Sequence, residues 1–434
     1  MKGGFILRSR YRWVIVTLIS VITLINYIDR SAVAYATAPI TSALHINDAE
    51  WGIIGSAFSI GYLVLAFFGG ALVDRQGPRK VWSYAASIWS LVTIATALAS
   101  SFVSLFVIRV LLGASEGPGF PAATRATSRW LPGNERGRAL GIIVGVGVPF
   151  SLMIGGPIIT QLLGHFGWHA TFVILGAVGL IWVGFWRVLF REKPSEHPKV
   201  NRAEREYIEA GLSPEEQKST TDRIQWASLF RNVNLWMVAL GYFAWGYMFW
   251  AFMFWLPGYL GQAFHLNLYA VGAFTVLPWA TATVGAIVGG IVVDRLFKRN
   301  PRHRSRFIVM GVALLLAGLS LIPIVVSPSL TTSMIFISLG VGFGMVTGPL
   351  WWVTSIDAAP DQPAVAAGFV DAAFALSGIV APAVMGFIAQ ATGSFSSGFV
   401  VMAILAIIGA GGLLFVTRER EAISHSSTTS TQAQ

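Results

Sequence analysis

The sequence predicts an all-α membrane protein, with twelve transmembrane helices in two pseudo-symmetric six-helix bundles. Three observations carry this reading. The chain is 55% hydrophobic and only 12% charged, about half the charge of a soluble domain. Its apolar runs, such as 13–27, 52–73 and 81–99, approach the ~20 residues that cross a bilayer. Its Lys and Arg residues fall in alternate inter-span segments and avoid the others.

The spans are expected at 13–35, 50–73, 80–99, 102–125, 138–160, 168–190, 233–260, 270–293, 305–325, 332–352, 364–388 and 397–417. The first is too long for a signal-peptide core and has no small-residue cleavage site after it, so it reads as a retained helix. Basic clusters lie at 2–12, 75–80, 125–138, 187–231, 295–306 and 418–420. The intervening segments 36–50, 100–103, 160–168, 261–268 and 326–331 contain neither Lys nor Arg. Cationic loops stay in the cytoplasm, so both termini are expected there, and the net charge of +10 reads as topology and lipid-headgroup affinity rather than nucleic-acid binding. The domains expected are a first bundle over 1–190, a cytoplasmic connector over 191–232, a second bundle over 233–420, and a disordered cytoplasmic tail over 421–434. Within the connector, 201–211 has the spacing of a short amphipathic helix at the membrane surface, with Gly211 as its C-cap.

With no cysteine in the chain, disulfides, thiol catalysis and cysteine-ligated metals are excluded. No phosphate-binding loop, metal-ligand cluster or nucleophilic triad occurs, so neither an enzyme nor a resident cofactor is expected. His45, His165, His169 and His265 fall near span ends, which argues against a histidine proton relay. The halves echo one another: Gly70-Ala-Leu-Val-Asp74-Arg75 closes span two and Gly290-Ile-Val-Val-Asp294-Arg295 closes span eight. Such internal symmetry marks transporters built from parallel repeats, with the substrate site between the repeats.

The loop after span two reads Gly70-x-Leu72-x-Asp74-Arg75-x-Gly77-x-Arg79-Lys80. Gly70 permits close helix approach, Asp74 can accept from a neighbouring helix N-terminus, and Arg75, Arg79 and Lys80 stay at the interface. At every defined position this loop resembles the signature of the major facilitator superfamily. The resemblance implies that it latches the outward-facing state and is released as the halves rock.

Ionisable residues at membrane depth cost at least ~2.5–3.5 kcal/mol each and usually face a cavity in which they act. Span one holds Asn26, Tyr27, Asp29 and Arg30; span four holds Arg109 and Glu116. Arg109 and Glu116 share a helical face about 10 Å apart along the axis. The arrangement expected is Asp29 paired with Arg30 or Arg109, with Glu116 beyond. A desolvated carboxyl beside a guanidinium can alternate between a proton and that partner, and an arginine so freed offers a bidentate fork to a carboxylate. The same residues as static pairs would hold helices together, and that reading stays open here.

Tyr27-x-Asp29-Arg30, Arg109 with the run Glu116-Gly-Pro-Gly-Phe-Pro121, and Trp130-Leu-Pro with Glu135-Arg136-Gly-Arg are similar to the anion:cation symporter family, nearest its bacterial galactonate, glucarate and hexuronate carriers. The resemblance covers nearly the whole chain. It implies that Asp29 and Glu116 carry protons, so that H+ is the coupling ion. It further implies that Tyr27, Arg30, Tyr62 and Arg109 shape the anion site, that Tyr247 and Trp352 stand where the family places cavity walls, and that the protein works as a monomer in a bacterial inner membrane. Span eleven departs from the family: sugar-acid carriers tend to have Asn-x-x-Gly-Asn, and this chain has Asp371-Ala-Ala-Phe-Ala375. Asp371 is therefore a candidate substrate contact favouring a less hydroxylated acid, or one carrying an amine, with a second proton site as the other reading. The function expected is proton-coupled import of an organic acid anion, a sugar acid or related carboxylate, by alternating access, with the small anion and membrane lipid as partners. An exchanger of organic anions or phosphorylated compounds on the same fold is the alternative, and a non-transporting sensor a third reading.

Overall fold

The computed structural model describes residues 9–211, 229–299, 304–327, 329–348, 350–359 and 363–417. The expected disordered tail (421–434), the basic group at 418–420 and the middle of the connector (212–228) lie outside them. The described helices group into twelve rods.

In the first half, α1 (Tyr11–Tyr35) continues past Ala36 as Thr37–Leu44. The helix α2 (Asp48–Gln76) opens on a capping box in which the Asn47 side chain accepts from the Glu50 amide at 2.9 Å and the Glu50 side chain takes the Asn47 amide at 3.0 Å. Gly77, at φ 80°, ends α2, and Pro78 begins α3 (Pro78–Thr96). The rod α4 (Phe102–Glu116) resumes after a step at Gly117 and Pro118 as Gly119–Trp130. A continuous run, Gly133–Leu189, turns at Gly167 (φ 73°) into α5 (133–166) and α6 (168–189).

The second half repeats the plan with α7 (Val233–Phe264), α8 (Leu268–Phe274 and Val276–Arg299), α9 (Arg304–Leu319 and Ile322–Val326), α10 (Leu330–Val346 and Leu350–Ala358), α11 (Pro363–Thr392) and α12 (Ser396–Gly411, widened to a π-helical turn over Gly412–Val416). The repeat extends to the caps. His45 after α1 and His265 after α7 both adopt the left-handed conformation at φ 52°, and Asn47 and Asn267, each two residues on, cap α2 and α8.

Packing follows the same symmetry. Within the halves, α2 packs on α4 and α8 on α10, while α3 packs on α6 and α9 on α12. Between them, α2 packs on α11 and α5 on α8. These seams are glycine-tight at the end remote from the termini, here the distal end. A Cβ on Gly52 would fall 3.1 Å from the Gly386 Cα, and one on Gly156 would meet the Tyr35 hydroxyl at 2.7 Å. Tyr35 donates across the seam to Thr275 at 2.9 Å, the Asp48 amide to Gln390 at 3.2 Å, and Ser56 to the Ile379 carbonyl at 2.5 Å. Outward-facing Phe68, Leu91, Ile181, Phe185, Val284, Ile404 and Phe415 are exposed. That is a lipid-facing belt, tolerable where every backbone polar group is satisfied inside its own helix.

The connector differs from its expected place on the membrane surface. Its helix, Arg202–Ala210, is docked on the first half through Glu204, which is fully buried. The Glu204 carboxylate accepts from the Tyr11 amide (3.0 Å), the Arg12 amide (3.2 Å) and the Arg12 Nη1 (2.9 Å), so it caps the N-terminus of α1 from a distance. Arg12 also forks onto Glu135 through Nε (2.7 Å) and Nη2 (3.0 Å). The Gly133 amide donates to the Gly211 carbonyl at 3.1 Å, closing the dock.

Candidate functional site

The site is built where α1 and α4 face each other. On α1, Asn26 and Arg30 are one turn apart, so the Asn26 amide oxygen can hold the guanidinium, and it accepts from Arg30 Nη2 at 3.1 Å. From α4, Glu116 accepts from Arg30 Nη2 at 2.7 Å and from Arg30 Nε at 3.2 Å, both on one oxygen. Its other oxygen is buried and has no partner. Aromatic rings complete the surroundings: the Arg30 carbon lies 4.4 Å from the Phe58 ring centre, 4.6 Å from Tyr27, 5.5 Å from Tyr62 and 5.7 Å from Trp250. Cations are attracted to such faces. Phe58 also takes the Arg109 guanidinium, at 5.3 Å. One ring of α2 therefore carries both arginines.

This corrects the pairing expected from sequence. Arg30 pairs with Glu116, and neither Asp29–Arg30 nor Arg109–Glu116 forms. Asp29 is 1% exposed, and neither of its carboxylate oxygens has a hydrogen-bond partner among the described residues. The reason is angular: Asp29 leaves α1 about 100° from Arg30, away from the guanidinium and Glu116. The Arg109 Nε is likewise buried and unpartnered.

Arg30, Glu116, Tyr27 and Tyr62 open on a cavity of ≈ 90 Å³, also lined by Trp82, Trp89 and Phe120. The cavity lies within the first half, and the second half closes over it with aromatic rings. Trp352 stacks on Phe120 at 5.4 Å, with the planes 18° apart, and meets Tyr242 edge-on at 6.4 Å. Trp250 reaches Phe58 at 6.0 Å. Tyr247 shares the α7 stripe with Trp250 but does not line the cavity; it is 1% exposed and its hydroxyl has no partner. Asp371 lies on the α11 stripe of Phe374 and Gly378, within electrostatic range of Tyr27, Tyr62 and Tyr242. The structure thus gathers Tyr27, Arg30, Tyr62 and Glu116 at the cavity, with Arg109 behind Phe58, and sets Asp29 and Tyr247 apart.

The signature loop departs from two expectations. A Cβ on Gly70 would meet nothing within 4 Å; the tight approach is one residue earlier, where a Cβ on Gly69 would fall 2.9 Å from the Pro118 Cα at the step in α4. Asp74 takes no helix N-terminus but lies 3.4 Å from the Arg125 Nε, with both side chains substantially exposed. Arg75 is exposed at the same surface. Gly77 and Arg79 converge on Glu192, unremarked in the sequence. A Cβ on Gly77 would collide with that carboxylate, the Arg79 amide donates to it at 3.0 Å, and Arg129 pairs with it. Glu192 is the first acid after α6 and sits in a basic segment, which is the signal that would have found it. Phe58 left no such signal, since one Phe among 29 reads as core.

A family model described as Major Facilitator Superfamily matches residues 19–382. The chain is 31% identical over 415 residues to a probable sulfoacetate transporter, SauU, of Cupriavidus necator, covering 94% of each chain. It is 32% identical over 389 residues to the hexuronate transporter of Bacillus subtilis, covering 88% of this chain and 89% of that one. Among solved structures, it is similar to a bacterial homologue of the human lysosomal transporter Spinster in an inward-facing and occupied conformation. That similarity has a TM-score of 0.74 at 18% identity, over 93% of this chain and 97% of the other.

Proposed function

We propose, since the chain belongs to the Major Facilitator Superfamily, that it imports a small organic acid anion together with protons by alternating access. It is a multi-pass membrane protein and its relatives are transporters, not enzymes. Relatives named for sulfoacetate and hexuronate support an organic acid as the cargo.

The observation that carries proton coupling is the buried Arg30–Glu116 pair at the cavity. Glu116 occupies the fork that a substrate carboxylate would need. Protonating Glu116 removes its charge, releases the guanidinium and lets the anion take the fork bidentately. Anion and proton then load together and leave together. Asp29, buried without a partner, is the second proton carrier. The glycine-tight distal seams and the cavity on the other side of them support rocking of 1–190 against 233–434. By the cationic-loop rule both termini are cytoplasmic in a bacterial inner membrane. The cycle needs no cofactor beyond H+ and runs in a monomer.

The test is uptake into proteoliposomes with a lumenal pH dye. The wild-type protein acidifies the lumen as the acid enters. Glu116→Gln should lose gradient-driven accumulation while exchange of labelled for unlabelled acid persists. If Glu116→Gln still acidifies the lumen at the wild-type rate, proton coupling through Glu116 fails. If the wild-type protein moves anions only out of preloaded vesicles, it is an exchanger.

A further inference from the structure

Asp371 is a carboxylate of α11, the second-half helix packed against α2, and nothing in the coupling scheme uses it. Its position follows from the register of α2 against α11. Gly52 abuts Gly386, Gly55 abuts Pro382, Ser56 donates to the Ile379 carbonyl, and the Ser59 hydroxyl fills the place of a Cβ on Gly378. The helices run antiparallel, so one further turn brings Tyr62 level with Phe374 and Asp371. Phe374, three residues on and on the same face, lies 5.7 Å from the Trp250 ring and 4.7 Å from Tyr242. Trp250 in turn faces Arg30 at 5.7 Å. Arg30 and Asp371 therefore stand on opposite sides of the Trp250 and Phe374 rings. Among the described residues, none pairs with Asp371 in a salt bridge and none hydrogen-bonds to it.

We propose that Asp371 is the specificity-determining residue of the substrate site, selecting an acid that carries an ammonium at the end remote from its carboxylate. This rests on the reading of the cavity as an organic-anion site. With the substrate carboxylate on Arg30, the far end points toward an anion one turn from Phe374, which stacks on Tyr242. An ammonium there receives a charge-assisted hydrogen bond. A second carboxylate meets repulsion, so the site discriminates by penalty as well as by contact. The preferred substrate is an amino-substituted carboxylate, and diacids are rejected.

The experiment is competition for binding to the full-length protein, read by tryptophan fluorescence. Three matched sets are compared: ω-amino monocarboxylates of three to six carbons, their unsubstituted counterparts, and diacids of the same lengths. The wild-type protein should bind the best amino acid at least tenfold more tightly than the plain acid, and the diacid most weakly. Asp371→Asn should shift the amino-to-diacid ratio at least tenfold toward the diacid, and Asp371→Glu should restore the wild-type order, which shows that the site still folds. The inference is overturned if plain acids or diacids bind the wild-type protein as tightly as amino acids. It is equally overturned if the order survives Asp371→Asn. Plain acids that bind the wild-type protein but not Arg30→Gln would leave the anion-site reading standing even so. If no carboxylate of any set competes, that reading falls, and this inference with it.

Discussion

The two halves share a plan but not a chemistry. The first half buries Asp29, Arg30, Arg109 and Glu116, while the second turns Tyr242, Trp250, Trp352 and Phe374 toward it, with Asp371 on the stripe of Phe374. The same cap residues and the same packing partners recur in both. Duplication therefore fixed the scaffold, and the facing side chains diverged. The lesson is a division of labour: one half holds the ion pair and its cavity, and the other supplies the aromatic wall packed against it. Burial agrees with this. In α7, which carries much of that wall, 83% of the apolar stretch is buried, against 44% in α1 and α12.

The sharpest way to break this division is Arg30→Gln. It leaves Glu116 buried without its cation, a loss of about 3–5 kcal/mol for a broken buried pair. Uptake should fall by roughly 100-fold or more, each 1.4 kcal/mol being about a factor of ten. Comparable uptake by this variant and the wild-type protein would move the anion site away from α1. A weaker blow is Gly52→Val. Its side chain would drive into the α11 backbone at Gly386, so the halves must part at the distal seam. We expect transport to fall about tenfold while binding from the basic side persists, and cross-links between introduced cysteines across α2 and α11 to form more slowly. Smallest is Trp352→Ala. Loss of the stack on Phe120, worth about 0.5–1.5 kcal/mol, should raise KM two- to tenfold with little change in maximal rate. A fall in rate at constant KM would instead make Trp352 part of the gate.

Much of this was legible in the sequence. Each expected span overlaps a described helix, and nine of the described helices are long and apolar enough to cross a membrane, because lipid demands long apolar helices and little else satisfies it. The charged residues were legible too, since burial of each in a membrane is costly enough to need a reason. Their pairing was not. A helical wheel gives Arg30 and Asp29 their directions but not the depth at which α4 presents Glu116. Nor could it show that Phe58 would lie beneath both arginines. Gly69 and Gly70 were indistinguishable until the step at Pro118 chose between them. The docked connector was hidden for a different reason: Glu204 sits in a polar helix of alternating charge, and only its three-dimensional neighbours tell a buried cap from a solvated acid. His45-x-Asn47 and His265-x-Asn267 were in plain view, but their meaning needed the left-handed backbone at each histidine.

That docked helix has a consequence for how the molecule moves. With Glu204 capping α1 and Gly211 held at Gly133, the segment up to 211 travels with the first half as a single piece. The first body therefore reaches 211 rather than ending at 190. In the proposed cycle this helix swings with α1, so a change at Glu204 or Gly133 acts on the moving body itself, while the glycine seams at the distal end decide how the halves swing.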